Sequence, residues 1–414
     1  MALFHGSPPE LRKKKGLHGS LRLRCLEFLF LTVFFFLFPD FFTGETFVGT
    51  LPSPKEFERP AEEVKAKRSR FSFAAAGDAL IHQGVYNAAR GKKGGFDFRP
   101  MFRLVEDRIR AHDLAFYNQE TILGGSALGL STYPRFNSPQ EVGDAMVDAG
   151  FNLVSLANNH TLDRGEKAVL ASLEYWAGQE GVLTAGSYAS PEDRDIPRLV
   201  NVNGISCAFL AYTTSTNGLK APKGKDYYVT VYDREKVKED VERARKEGKA
   251  DVVLVSMHWG SEYVFTPGAE QKVIAEFLAS LGVDIVVGHH PHVVQPVQMV
   301  EKTLVIYSLG NFISAQKELH KLIGLLVSLD VVKTELGGKS SISFENVTGT
   351  LLYNPRRSPL GRYVVVPFDL MKEEILKDFG KIHAKYAAYV KVDGTLSIRP
   401  PAKSPPKDSP KKKK

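Results

Sequence analysis

Between residues 71 and 310, short apolar runs alternate with amphipathic stretches at a spacing that leaves few ways to fold. The runs are FSFAAA from Phe71, LAFYN from Leu114, FNLVSL from Phe151, ISCAFLAYT from Ile205, DVVLVSM from Asp251, DIVVG from Asp284 and LVIYSLG from Leu304. Helical patterns stand between them at Pro139 to Ala149, Glu166 to Trp176, Asp233 to Lys246 and Ala269 to Leu281. Strands too apolar for one wet face, separated by helices, predict a layered α/β domain. Beyond Ile323 the pattern becomes strand upon strand, with one further helix near Met371 to Tyr389, which reads as a β-rich C-terminal part (336–400) closing the main domain (71–335) or packing beside it.

The flanks are different in kind. Basic residues from Arg12 to Arg24 precede an apolar run from Phe28 to Phe38, the layout of an export signal; residues 1–43 are read as a signal peptide or an uncleaved signal-anchor. Residues 44–70 are a Pro- and charge-rich linker, and 401–414 a Pro and Lys tail without apolar residues to bury. Either export reading puts the folded part outside the cytoplasm, attached to or released from the membrane. The formal net charge of +8 lies largely in Arg12 to Lys15 and Lys411 to Lys414, so the folded part is nearer neutral and nucleic-acid binding loses its main support. Cys25 and Cys207 sit in unlike contexts and imply no disulfide framework.

Chemistry concentrates where the apolar runs stop: Gly77-Asp78, Asn118-Gln119-Glu120, Asn158-Asn159-His160, His258 and His289 to His292. In open α/β sheets, ligands bind beyond the carboxyl ends of the strands. One such ending is ordinary, because Gly-Asp is a turn, Asn-Asn caps itself and a lone strand His is commonly a core residue. Five in succession point to a divalent-metal site, and mixed oxygen and imidazole donors suit Mn, Fe or Zn. In GHHPH, Gly288 is expected to open a turn, Pro291 to stiffen it, and His290 and His292 to serve two neighbouring ions; His289 reads as a core residue or a support.

GDALIH, NQE, ANNHTLDRG, MHWGSEY, GHHPHVVQPV and YSLGNF, in this order, closely resemble the CapA family of capsule-synthesis proteins, similar in turn to the calcineurin-like metallophosphoesterases. The resemblance covers roughly Phe71 to Leu329 and implies a four-layered α/β/β/α sandwich with two divalent ions at the strand ends. Carried over, it makes Asp78 and His292 ligands of one ion, Asn159, His258 and His290 ligands of the other, and Glu120 the bridging carboxylate, where the wider superfamily commonly uses the Asp of a GD motif. His82 either completes the first ion's shell or is a helix-surface histidine. His160 is implied as a catalytic acid, with Asp163 orienting it or capping the helix that follows. Asn118, Glu262, Tyr263, Gln295 and Asn311 are implied as supporting or substrate-binding residues; Asn311 reads equally as the cap of a Gly turn. The functions implied are binuclear hydrolysis and, alternatively, a non-catalytic scaffold or binding protein. The hydrolase substrate would be a phosphoester, or an amide or polymer linkage of the envelope; the family resemblance implies synthesis, export or anchoring of an anionic capsule polymer such as poly-γ-glutamate, alongside membrane partners of capsule synthesis.

Overall fold

The computed structural model describes residues 66–403 apart from Lys93; the signal or anchor segment, most of the linker and the Lys-rich end lie outside the described residues. Among the described residues fifteen strands form two sheets. The first holds β1 (Lys67–Ala79), β2 (Leu114–Asn118), β3 (Leu153–Ser155), β4 (Leu183–Ala185), β11 (Asn311–Ile313), β12 (Ile323–Leu336), β13 (Lys339–Tyr353), β14 (Val366–Pro367) and β15 (Ser397–Ile398), with β14-β13-β12-β1-β2-β3-β4 as its main order. The second holds β5 (Leu199–Val202), β6 (Ile205–Thr213), β7 (Val252–His258), β8 (Ile285–His289), β9 (Val297–Val300) and β10 (Thr303–Ile306), in the order β5-β6-β7-β8-β10-β9. The helices are α1 (Gln83–Ala89), α2 (Arg99–Phe102), α3 (Glu106–Arg110), α4 (Glu141–Asp148), α5 (Gly165–Ala177), α6 (Pro191–Asp195), α7 (Arg234–Lys246), α8 (Ala269–Ser280) and α9 (Phe379–Val390).

Side-chain alternation builds the layers. In β1, Phe71, Phe73 and Ala75 enter the same core as Leu114 and Phe116 of β2, Phe209 of β6, Leu254 of β7 and Val287 of β8, so this core lies between the sheets. The intervening Ala74, Ala76, Ala115 and Tyr117 pack instead with Val142, Ala145 and Met146 of α4. On the second sheet Val253, Val255 and Val286 meet Val237, Val241 and Ala244 of α7 and Ile274, Ala275 and Leu278 of α8. A strand buried on both faces can have no polar alternation, which explains the continuous apolar runs. The result is the expected α/β/β/α sandwich. Along the stretch that carries the resemblance, β1, β2, β3 and β4 run parallel, as do β6, β7, β8 and β10. Their carboxyl ends therefore bring together side chains that are far apart in sequence.

Three sequence-based boundaries shift. The first strand begins at Lys67, four residues inside the expected linker, because Lys67 to Arg70 pair antiparallel with Val332 to Glu335 and the backbone ladder does not depend on apolar side chains. The division at 335/336 falls within one hairpin: β12 and β13 pair along their lengths through a Gly337-Gly338 turn with positive φ at both residues, and β12 pairs with β1. The expected tail also starts late, since the Ala402 N–H donates to Phe368 O at 2.9 Å. Among the described residues no helix is long and apolar enough to cross a membrane.

Candidate metal centre

Asp78, Glu120, Asn159, His258, His289 and His292 are all buried where the two sets of parallel strands end. Asp78 is on β1, Asn118 closes β2, Glu120 lies two residues past it, His258 closes β7 and His289 closes β8. The sheets are joined there, since Ser256 Oγ donates to Ser155 Oγ at 2.9 Å. Two glycines permit the close approach. A Cβ on Gly77 would lie 1.8 Å from Gly310 O, and one on Gly288 would lie 2.0 Å from Tyr307 O and 2.5 Å from Trp259 Nε1. Gly288 thus belongs inside β8, where it lets β10 approach, and does not open the turn as expected. The turn is made by His290 at φ +94° and His292 at φ +56°, conformations that cost a non-glycine residue about 1–3 kcal/mol each.

Asp78 is fully engaged. Asn118 Nδ2 donates to its Oδ1 at 2.8 Å, and His292 Nδ1 lies 3.1 Å from its Oδ2. His289 Nδ1 stands 3.4 Å from Oδ1, off the line of a hydrogen bond, with its ring stacked on Phe116. Burial pushes the Asp78 carboxyl up, but its histidine neighbours outweigh that and hold it well below the usual range. Asn311 Nδ2 donates to Gln316 Oε1 and Lys321 O, which turns its Oδ1 toward His292 Nδ1 at 3.0 Å and makes that nitrogen the N–H. Asn311 therefore orients a histidine and is no simple turn cap. The other nitrogen, Nε2, is 3.6 Å from Glu120 Oε1.

Glu120 is the opposite case. It has no exposed surface and neither oxygen has a hydrogen-bond partner. Its Oε1 stands 3.7 Å from His258 Nε2, which in turn is 3.0 Å from Asn159 Oδ1. Glu120, His290 and His292 present donor atoms within 4.8 Å of one another, and the His258 and His290 rings are 4.7 Å apart. Donors that share an ion at about 2.1 Å stand roughly 3–3.5 Å apart, so these N/O spacings suit a divalent metal after small side-chain adjustments. Glu120 thus lies within 3.7 Å of His258 on one side and 3.6 Å of His292 on the other, and it is with His290 and His292 together that it forms the tight donor group. A buried carboxylate with neither oxygen bonded is itself an argument for a cation at this position.

The charges agree. Burial raises the Glu120 carboxyl well above its usual value, and Asp78, Glu262 and Asp163 add to that. Burial lowers His258 strongly and His290 to about 4, leaving both neutral as metal ligands must be. His292 is lowered by burial but carried up to about 9 by Glu120 and Asp78.

A second constellation sits beside the first. His160 Nδ1 donates to Asp163 Oδ2 at 2.7 Å, and the same oxygen accepts the Phe136 N–H at 2.6 Å. Because a carboxylate only accepts, this fixes Nδ1 as the N–H and leaves Nε2 as the free ring nitrogen. Asp163 does not cap α5, whose first turn has no side-chain cap. Phe136 packs edge-on against His160 at 4.7 Å and His82 at 5.2 Å. His82 Nδ1 lies 3.0 Å from Leu80 O and its ring gives no hydrogen bond to Asp78 or Glu120, so it stands on the wall of the site. Gln295 accepts from Gln271 Nε2 at 2.9 Å and donates to Val264 O at 2.7 Å, bracing the loop that carries Glu262 and Tyr263 without reaching the cluster. Phe136 and Asn217, whose Oδ1 accepts from Asn159 Nδ2 at 3.4 Å, carry no signal in the sequence; both lie on irregular loops where no period marks them.

Fold and site together define an α/β/β/α sandwich with an imidazole- and carboxylate-rich centre at its strand ends. The chain belongs to the family described as bacterial capsule synthesis protein PGA_cap, whose model matches residues 72–316. It is 33% identical over 169 residues to the PGA biosynthesis protein CapA of Bacillus subtilis, covering 41% of this chain and 44% of that one. It is 34% identical over 185 residues to the capsule biosynthesis protein CapA of Bacillus anthracis, covering 44% of each. These alignments thus span less than half the length of either relative. A crystal structure of a 5'-nucleotidase precursor from Thermus thermophilus has 14% identity and a TM-score of 0.39, covering 67% of this chain and 54% of that one.

Proposed function

We propose that the chain is an exported, metal-dependent hydrolase that acts on an anionic polymer of the cell envelope, of the poly-γ-glutamate kind. The observation that carries this reading is Glu120, buried without a partner between two sets of N/O donors, with the His160–Asp163 pair alongside. Glu120, Asn159, His258 and His290 would hold one divalent ion and Asp78, His292 and Glu120 a second. Bound metal would supply Lewis-acid stabilisation of charge at the reacting centre and an activated nucleophile.

The protein's own groups do the rest. Asn118 and Asn311 fix the orientations of Asp78 and His292 through Nδ2 and Oδ1 respectively. Asp163 holds the His160 proton on Nδ1, so protonated Nε2 is the position from which a leaving group would be given its proton. Phe136 excludes water from that ring. A purely structural centre would have no use for an oriented, free imidazole nitrogen, which favours hydrolysis over a binding scaffold. The names of the Bacillus relatives support the capsule setting, and membrane partners of polymer synthesis are part of the same proposal.

The test uses the full-length purified chain. Elemental analysis is expected to find up to two Mn, Fe or Zn ions per chain, and His160→Ala is expected to keep them while losing hydrolysis of a phosphodiester or of poly-γ-glutamate. Metal-free wild-type protein would end the reading. Loaded wild-type protein that binds the polymer without cleaving anything would leave the scaffold reading in its place.

A further inference from the structure

One residue beside the site is held in a left-handed conformation that its side chain does not favour. Tyr263 has φ +66°, and its side chain is on the surface, the residue being 37% exposed. Glycine would take this conformation freely, whereas tyrosine costs about 1–3 kcal/mol, so the side chain must offset the strain through something it does. Three other left-handed residues, His290, His292 and Asn217, are part of the site or touch it, while Asn203, Lys249, Glu301, Asn346, Tyr363 and Asp378 share the conformation elsewhere. The Tyr263 N–H donates to Pro291 O at 2.8 Å, tying it to the turn between the two histidines.

The side chain is connected to the same place. Gln316 Nε2 donates to the Tyr263 hydroxyl at 3.3 Å, Gln316 Oε1 accepts from Asn311 Nδ2 at 2.8 Å, and Asn311 Oδ1 faces His292. The Tyr263 and His292 rings are 6.1 Å apart. Lys321 lays its ammonium 3.7 Å from the centre of the Tyr263 ring, and its carbonyl accepts from Asn311 at 2.9 Å. A cation and a hydroxyl are thus held at the rim of the centre by one hydrogen-bonded frame.

We propose that the Tyr263 hydroxyl and the Lys321 ammonium form a subsite beside the metal centre that binds an anionic group of the substrate, a carboxylate or phosphate one unit away from the bond attacked. The proposal rests on the hydrolase reading and names what lies next to the reacting group. Glu318 pairs with Lys321 at 3.1 Å. The Glu318 side chain is 57% exposed and that of Lys321 16%, so an arriving anion displaces a solvent-screened carboxylate from the accessible edge of the ammonium. The aromatic face keeps Lys321 in place during that exchange.

The experiment is calorimetric titration of the metal-loaded full chain with two probes, a γ-linked glutamate oligomer and a polyphosphate of similar length. Tyr263→Phe and Lys321→Met are each expected to raise Kd about tenfold at unchanged metal content, with Lys321→Arg recovering most of the loss. Loss on the glutamate oligomer alone identifies a carboxylate subsite, loss on polyphosphate alone a phosphate subsite, and loss on both a site that reads charge. If Tyr263→Phe disturbs metal content, Lys321→Met decides. Wild-type protein that binds neither probe, or variants that bind both as wild type does, would overturn the subsite. If the wild type carries no metal but binds a probe and the variants do not, the subsite stands and the hydrolase reading falls.

Discussion

Gly288→Ala tests whether packing between β8 and β10 sets the geometry of the centre. The added methyl would lie 2.0 Å from Tyr307 O and 2.5 Å from Trp259 Nε1, where ordinary contact begins near 3.4 Å. Relieving it requires β8 to move from Tyr307 by more than about 1 Å. Both close atoms are the partners of one buried hydrogen bond, Trp259 Nε1 to Tyr307 O at 3.0 Å. Overpacking costs about 1–3 kcal/mol, and leaving a buried donor unpaired another ~1–3 kcal/mol. The expected loss is therefore about 2–6 kcal/mol, read as a lower urea midpoint in metal-free buffer. The same displacement reaches His290 two residues later, so metal affinity is expected to drop at least about tenfold in a competition assay with a chelating dye. A conformational role for Gly288 in a turn would predict otherwise, because its φ is not in the left-handed region and alanine would be tolerated. A variant within about 1 kcal/mol of wild type and fully metal-loaded would refute the packing argument.

Three further outcomes are expected. His292 rises from about 6.5 to about 9 in the folded protein, so its stabilisation is complete below pH 6.5 and disappears as pH rises through 9. A rise of that size corresponds to about 3 kcal/mol, measurable by urea unfolding of chelator-stripped protein between about pH 6 and 9.5, and the slope should fall in His292→Gln, with the raised Glu120 carboxyl supplying what remains; an unchanged slope would contradict it. Asn311→Ala removes the acceptor that orients His292 and should weaken metal binding by about 10–100-fold at nearly native circular dichroism, with unchanged affinity counting against the assigned tautomer. Asp163→Asn should keep metal while lowering kcat by at least about 100-fold and weakening stability by about 1.5–3 kcal/mol through loss of two charge-assisted hydrogen bonds. Activity near wild type would separate His160 from the reaction.

By itself the sequence determined the layered architecture and the address of the chemistry. Strands buried on both faces must be continuously apolar, and helices packed on one side must be amphipathic, so their alternation is a direct consequence of burial. Helix bounds followed closely: Glu166 to Trp176 became Gly165–Ala177, and Asp233 to Lys246 became Arg234–Lys246 with Asp233 as its cap. Polar residues at the ends of such strands stand out against that background, which made Asp78, Glu120, Asn159, His258 and His292 legible. Only the tertiary structure decided how they are used. It satisfied Asp78 and left Glu120 unpaired, turned Asn311 toward His292, and removed Gly288 from the turn to the sheet contact. It also supplied Phe136 and Gln316 from irregular segments and Lys321 from the short 3-10 turn Leu319–Lys321, and began β1 within a charged stretch. These depend on what approaches from across the sandwich, at separations of tens to hundreds of residues. No local period encodes such a partner, because it is chosen by where two strand ends meet.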